Sequence, residues 1–583
     1  MRFPSIALLA QHAVAVLRRF PWTLAAGALA ALAAIIASLT GTDDAWGRLA
    51  FVAALGLPVT LAITLLAETR GWGAGSRTLA LSTGVLGLGL FFLVWPGTDQ
   101  RHDAIRYFQL SAAMHLAAAF LPFVGSAETR AFWQYNRRLF LGFLRALVFS
   151  GVLYVGIAIA LGALDKLFGV DIDGEIYLRI WFIVAFVVNT WIFLAAVPDD
   201  LRALEQDTEY PRALKVFAQY ILTPLAFLYL VILLAYLVKI VAGGEWPSGW
   251  IGWLVASVSV TGLLGFLLVH PLRADPAEGW IRTYARWLFI GLVPAALMLL
   301  VAFWKRIVPY GLTEPRTLGL VLGLWLLGLA LLFSFRRGAS IRLIPITLAA
   351  LLLLTLYGPV SLSRLSITSQ GRRFAKMLQA SDGTAASAGE ASAALRFLIE
   401  HRAGDEIAAR IGKALPPIEW KSLTRHGGRR DSIGRAIMEL AGGTYVPRYS
   451  RFAGETHFSF NSDDPILLAG FEWVIPVAGT NRSARVADGD TVIIVSQLPG
   501  GDARIRVGSD TLEFDLRPLA RWYVDSVYPR APSRSDRFRI DRDDAARPAA
   551  LIITNLSGTW YRDSLAIGHW TGSLLLGSRG REP

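Results

Sequence analysis

Eleven stretches of roughly 18–25 mostly apolar residues fill the first 360 positions, each long enough to cross the roughly 30 Å hydrocarbon core of a bilayer as a helix. A soluble chain has no reason to repeat that length so often. The predicted helices are 20–39, 47–67, 78–95, 106–124, 139–164, 176–197, 217–242, 250–270, 286–304, 316–335 and 341–360. About 220 charge-rich residues come after them. The expected architecture is therefore an all-α polytopic membrane bundle of about eleven transmembrane helices (1–360), an exit segment and linker (361–388), and a C-terminal soluble α+β domain (389–583).

Composition agrees with this division. Hydrophobic residues make up 54 % of the chain and charged residues only 17 %, on the membrane side of ordinary globular usage. The net charge of +13 does not indicate nucleic acid, because no basic helix interleaved with aromatics appears. The basic residues instead sit in short loops between apolar runs, where they signal topology and meet anionic head groups. The bilayer is thus the expected partner, with envelope proteins as further candidates. Cysteine is absent, which excludes disulfides, thiol nucleophiles and iron–sulfur sites. No motif indicates a cofactor, and apart from the acidic pair Asp171-x-Asp173 none indicates a metal site.

Counting Lys and Arg on alternate loops gives about 17 against about 8, and the richer set faces the cytoplasm by the positive-inside rule. That set includes Arg18, Arg19, Arg70, Arg77, Arg137, Arg138, Arg202, Arg273, Arg282, Arg286 and Arg336. The N-terminus is then cytoplasmic and, with an odd number of spans, the tail is periplasmic. Arg18-Arg19 before the run 20–39 resembles a signal peptide, but its length and the close second span read as an uncleaved first helix.

In the tail, 389–415 has helical spacing of Leu395, Leu398, Ile399, Ile407 and Ile411. Short β-branched and aromatic runs come next at 456–460, 491–496, 503–507 and 551–554, with a helix predicted at 517–527.

Several motifs carry a family resemblance. They are Phe132-Trp133-Gln134-Tyr135-Asn136-Arg137-Arg138-Leu139, Tyr220 to Leu225, Trp246-Pro247-Ser248-Gly249, Tyr310-Gly311-Leu312-Thr313-Glu314-Pro315-Arg316 and Gly470-Phe471-Glu472-Trp473. With these the chain resembles a bacterial inner-membrane family catalogued as domain of unknown function 4153. The resemblance implies a polytopic inner-membrane protein without an assigned activity, and it brings no catalytic residues. On physical grounds Thr313-Glu314-Pro315 makes a helix start: a hydroxyl cap, an acid near the positive end, and proline where no amide partner is lost. Asn136, Arg137 and Arg138 stand at a cytoplasmic helix entry, where arginines meet phosphate head groups. Gly319 and Gly323 form a small-xxx-small pair for close helix packing.

Ionisable groups inside spans are costly and functional suspects. Arg145 could pair with a carboxylate, hold an anion or snorkel to the head groups, and snorkelling is favoured. His115, Asn189 and His270 read as interhelical hydrogen-bonding groups. Outside the membrane, Asp43-Asp44 and Asp171-x-Asp173 could act as the external acids of a polyprenyl-sugar transferase, and the Asp171-x-Asp173 pair could hold a divalent cation through hard oxygens. The bland reading is that acids are common outside by topology. Three function classes remain: a membrane anchor for a periplasmic sensing or interaction module, which is favoured; a transporter or channel subunit; and a lipid-linked transferase.

Overall fold

The apolar runs form helices because a helix satisfies its backbone amides within one segment, as hydrocarbon demands. The computed structural model describes residues 6–415 apart from 42–43, 98–100, 127, 244–249, 337 and 380–384, then 417–418, 427–446, 455–461, 471–478, 483–485, 491–497, 502–507, 510–522, 539–542, 548–561 and 564–577. Asp43, the motif 246–249 and Gly470 lie outside these. The helices in chain order are α1 (Ile6–Arg19), α2 (Pro21–Thr40), α3 (Asp44–Arg70), α4 (Ala74–Val94), α5 (Arg101–Phe120) and α6 (Thr129–Phe168). They continue as α7 (Gly174–Leu194), α8 (Arg212–Gly243), α9 (Trp250–Val269), α10 (Gly279–Tyr310), α11 (Glu314–Phe335), α12 (Leu343–Leu354) and α13 (Leu362–Gln379). The tail adds α14 (Ala385–Glu400), α15 (Gly404–Ile411), α16 (Gly427–Leu440) and α17 (Arg517–Trp522).

Among the described residues, nine helices are long and apolar enough to cross a membrane: α2, α3, α4 and α6 through α11. Nine of the about eleven expected spans meet that measure of length and apolarity, and the two that do not have physical reasons. The first half of α5 carries Arg101, His102, Asp103, Arg106 and Gln109, too polar for hydrocarbon. α12 has 12 residues, about 18 Å of helix, short of the roughly 30 Å core. These two pack on each other, with Gln109 Nε2 donating to Leu352 O (3.3 Å) and Thr355 Oγ1 (2.9 Å). Both nonetheless join the two ends of the bundle: Val124 after α5 and Arg342 before α12 meet Arg70 and Ser126 at one end, while Trp95 before α5 meets Asp103 and Gln370 beyond α12 meets Tyr310 at the other, so the alternation of loops is unchanged.

Glycine and proline act where backbones crowd. α8 contains a π-helical turn, Ala218–Leu222, just before Pro224, which accommodates the ring and its missing amide. A second π turn, Val184–Val188 in α7, directs the Phe186 carbonyl at Gly27 of α2, where any Cβ would clash.

Gly319 and Gly323 of α11 face Phe303 and Leu300 of α10, as expected for packing within the bundle. A Cβ at 319 would enter the Phe303 ring, one at 323 would come 3.0 Å from Leu300 Cδ2, and one at 328 meets nothing within 4 Å. Gly319→Ala should therefore cost about 1–3 kcal/mol, Gly323→Ala less, and Gly328→Ala nothing measurable. Unfolding in mixed micelles reads this order; equal values for the three would remove the packing argument.

The chain divides into two compact units: residues 1–373 with 400–406 and 419–425, and residues 374–399, 407–418 and 426–583. In the second unit all described strands pair antiparallel. One sheet has the order β1 (Glu455–Asn461), β8 (Ala549–Tyr561), β9 (Ser564–Leu576), β2 (Trp473–Ala478), with β7 (Arg539–Arg542) also on β8; the other runs β3 (Ser483–Arg485), β4 (Thr491–Gln497), β5 (Asp502–Val507), β6 (Asp510–Asp515). Alternate residues of both sheets, among them Ile475, Ile505, Phe514, Leu551, Trp570 and Leu574, close one core. The predicted strands all exist. The soluble end is α+β, but with two packed sheets rather than one. α16 had no forecast, and the predicted helix at 389–415 is interrupted at 401–403.

Candidate functional site

The turn between α10 and α11 holds the motif Tyr310 to Arg316. Gly311 ends α10 at φ +69, its amide donating to Ile307 O (2.8 Å). α13 then grips the turn: Gln370 Nε2 donates to Tyr310 O (2.9 Å) and Leu312 O (2.8 Å), and the Leu312 amide donates to Ser369 Oγ (2.9 Å). A Cβ at 311 would stand 2.8 Å from Gln370 Nε2, so glycine is needed for both its φ and the close approach. Arg316 turns back to donate to Gly311 O (2.9 Å) and lies over the Tyr310 ring, as does Arg373.

Thr313 is extended at the helix start, but its side chain caps nothing, and Pro315 takes the first-turn place expected of it. Glu314 departs from the expected role. Its side chain is 5 % exposed and pairs through Oε1 with His401 Nε2 at 2.6 Å, the histidine being 7 % exposed. A buried acid–histidine contact, not a dipole partner at the surface, is what this acid supplies.

His401 is part of a longer polar run. Its ring stacks on His102 with centroids 4.4 Å apart. His102 Nε2 lies 3.3 Å from Asp103 Oδ2, and Arg106 donates to Asp103 Oδ1 at 3.2 Å. The Asp103 carbonyl in turn accepts from Trp95 Nε1. Glu314, His401, His102, Asp103 and Arg106 thus form one chain of contacts drawn from α11, the 400–406 segment and the head of α5.

The backbone delivering His401 is strained. Arg402 has φ +51, the one non-glycine left-handed residue among those described, a conformation that costs roughly 1–2 kcal/mol. Strain persists only where surrounding contacts over-determine it; here the Glu314–His401 pair supplies them.

His102 and Asp103 occupy the first turn of α5, ahead of the predicted span. Burial, and then the charges of His401, Arg106 and Arg402, push the His102 imidazole down to about 3. It is neutral at ordinary pH. Burial raises the Asp103 carboxyl against the opposing pull of Arg106 and Arg402.

The other face of the bundle is held by different pairs. Arg19 of α1 makes a two-pronged bond to Glu68 (3.1 and 2.9 Å) and reaches Asp199 (3.1 Å). Arg137 is 4 % exposed and meets Asp207 at 3.6 Å, while Arg138 meets the same carboxylate at 2.9 Å. Gln134 Nε2 donates to the Asp207 and Glu209 carbonyls, and Asn136 Nδ2 to Ala119 O and Phe132 O. The head-group reading of this motif therefore gives way for Arg137, which is folded into a loop-to-helix contact. Arg77, Arg70, Arg202 and Arg342 join the same face through backbone carbonyls of Arg19, Val124, Thr69 and Ser126.

The remaining candidates are scattered. Arg145 is exposed on the flank of α6 and His115 on α5; Asp171 is exposed, and Asp173 caps α7 by accepting from the Glu175 amide. Asp44 opens α3, and Asp43 lies outside the described residues. Among the described residues no group of three His, Asp or Glu side chains is placed to hold a metal ion. His102, Asp103 and His401 escaped sequence reasoning because no local pattern links residues some 300 positions apart. An acid–histidine pair ahead of an apolar run was the only trace.

Comparison with known proteins adds a frame without an activity. The family described as Domain of unknown function (DUF4153) matches residues 24–378. A curated relative, Uncharacterized protein PM1469 of Pasteurella multocida (strain Pm70), is 26 % identical over 307 residues, which are 51 % of this chain and 50 % of that protein. The match thus spans about half the length of that relative. No solved structure matches.

Proposed function

Since the chain belongs to the DUF4153 family, a membrane family with no activity attached, we propose that it is an inner-membrane anchor that carries a sensing or interaction module on the periplasmic side. One observation supports this above the rest. The family-motif residue Glu314 and the turn beside it are spent on holding the segments beyond the last apolar helix, through Gln370 and His401. Residues that would be free for a substrate in a transporter or transferase are here used to fix an exit.

Orientation rests on charge. The arginine-rich loops gather on one face, knitted by the Arg19, Arg137 and Arg342 contacts, and that face is the cytoplasmic one by the positive-inside rule. The ends of α10 and α12 and the 400–406 segment then lie at the periplasmic face. A transferase would need acids converging outside, yet Asp173 is occupied as a cap and Asp171 stands in an exposed loop.

A chain without cysteine makes the test direct. Single cysteines at Asp171, Glu472 and Arg336 are offered to a membrane-impermeant thiol reagent in spheroplasts. Asp171→Cys and Glu472→Cys should label, and Arg336→Cys only after lysis. Labelling of Arg336→Cys from outside, or protection of Glu472→Cys until lysis, overturns the reading.

A further inference from the structure

A cavity of about 580 Å³ opens between the start of α10, the end of α11 and the short 3₁₀ turn after α9. Its volume suits a bound small molecule. Arg273, Arg282 and Arg286 line it, and behind them stand apolar side chains including Phe289 and Phe333. Among the described residues no carboxylate lines it. Elsewhere on this face Arg19, Arg137, Arg138 and Lys215 each meet an acid. Arg282 spends one nitrogen on the carbonyls of Arg273 and Asp275, which neutralises none of its charge. The Ser334 hydroxyl also lines the cavity, buried and without a hydrogen-bond partner among the described residues.

From this we infer a binding site for an anionic membrane lipid, with its phosphate among Arg273, Arg282 and Arg286 and the first part of its apolar chain against Phe289 and Phe333. Guanidinium forks match phosphate oxygens in paired hydrogen bonds, and Ser334 Oγ supplies a further donor. The apolar wall selects an amphiphile over a free anion, because soluble phosphate would leave that wall in water. Phe335 and Trp287, both exposed nearby, are the kind of aromatic residues found at head-group depth. The inference goes beyond the anchor reading and does not depend on which unit faces outward.

The full chain in nanodiscs tests it through thermal stability and through lipid retained after detergent exchange. The arms are phosphatidylglycerol, phosphatidylcholine, and phosphatidylcholine with added inorganic phosphate. Phosphatidylglycerol alone should raise the melting temperature and remain bound. The Arg282→Gln/Arg286→Gln variant should retain it about tenfold less, and Arg286→Lys should fall between. Arg336→Gln, on the same face but outside the cavity, should match the wild type. Equal behaviour in the two lipids, or an equal rise with inorganic phosphate, overturns the proposal. Those wild-type arms decide it even if the variants fail to fold.

Discussion

Glu314→Ala is expected to be among the most damaging single changes in the chain, costing about 3 kcal/mol, the upper end of the penalty for stripping a buried polar group of its partner. His401 would be left enclosed beside His102 with its carboxylate gone. The strained turn at Arg402 would lose the contact that over-determines it. Trypsin should then cut at Arg402 or Arg410 much sooner than in the wild type, with the apolar helices still intact. Glu314→Gln, which keeps an acceptor for His401 Nε2, should lose less than half as much. If Glu314→Ala unfolds and is digested like the wild type, the pair holds nothing.

Acid should act on the same place. Because the folded protein keeps His102 neutral down to about 3, only the unfolded chain takes up that proton below about 6.5. Stability therefore falls as pH drops from about 6.5 toward 3, by at most about 1.4 kcal/mol per unit from this group. The groups facing it are His401, Asp103, Arg106 and Arg402, two of them fixed cations. A proton on His102 would add to the positive charge of those two arginines. His102→Gln should flatten the slope between pH 6.5 and 5.

The second large effect belongs to the opposite face. Asp207→Ala leaves the buried Arg137 guanidinium with the exposed Glu209 at 3.9 Å as its one ion-pair partner among the described residues, and should cost about 2–4 kcal/mol. The double variant Arg137→Met/Asp207→Ala should recover much of that loss, since an apolar pair of similar volume carries no desolvation cost. Low pH imitates the single change. Although burial opposes it, the Glu209 amide with Arg138 and Arg137 holds the Asp207 carboxyl below its ordinary value. Its contribution is present above about pH 4 and disappears as pH falls through the lowered value. A double variant no more stable than Asp207→Ala alone would show that the carboxylate, not the stranded cation, sets the cost.

The bundle was legible because hydropathy is a local property. Nine of the eleven apolar runs became helices both long and apolar enough to cross a membrane, and Gly319 met Phe303 as the small-xxx-small spacing suggested. The errors also have local causes. The run 341–360 looked long enough, yet Thr355 and Gly358 end α12 after 12 residues, the Thr355 hydroxyl returning to Leu351 O and Gly358 taking φ +87. Thr313-Glu314-Pro315 fitted a helix start, and the sequence could not show that a histidine 87 residues later would claim the acid. Arg137 and Arg138 were assigned alike, although only burial separates them.

Sequence alone settled where the chain leaves water, how its charges alternate between loops, and where strands replace helices. Each of these depends on neighbours within one or two turns. Only the tertiary structure decided which polar groups meet: Glu314 with His401, Arg137 with Asp207, three arginines around one cavity. Ion pairing is governed by distance and dielectric, and both are properties of the closed fold that spacing along the chain does not record.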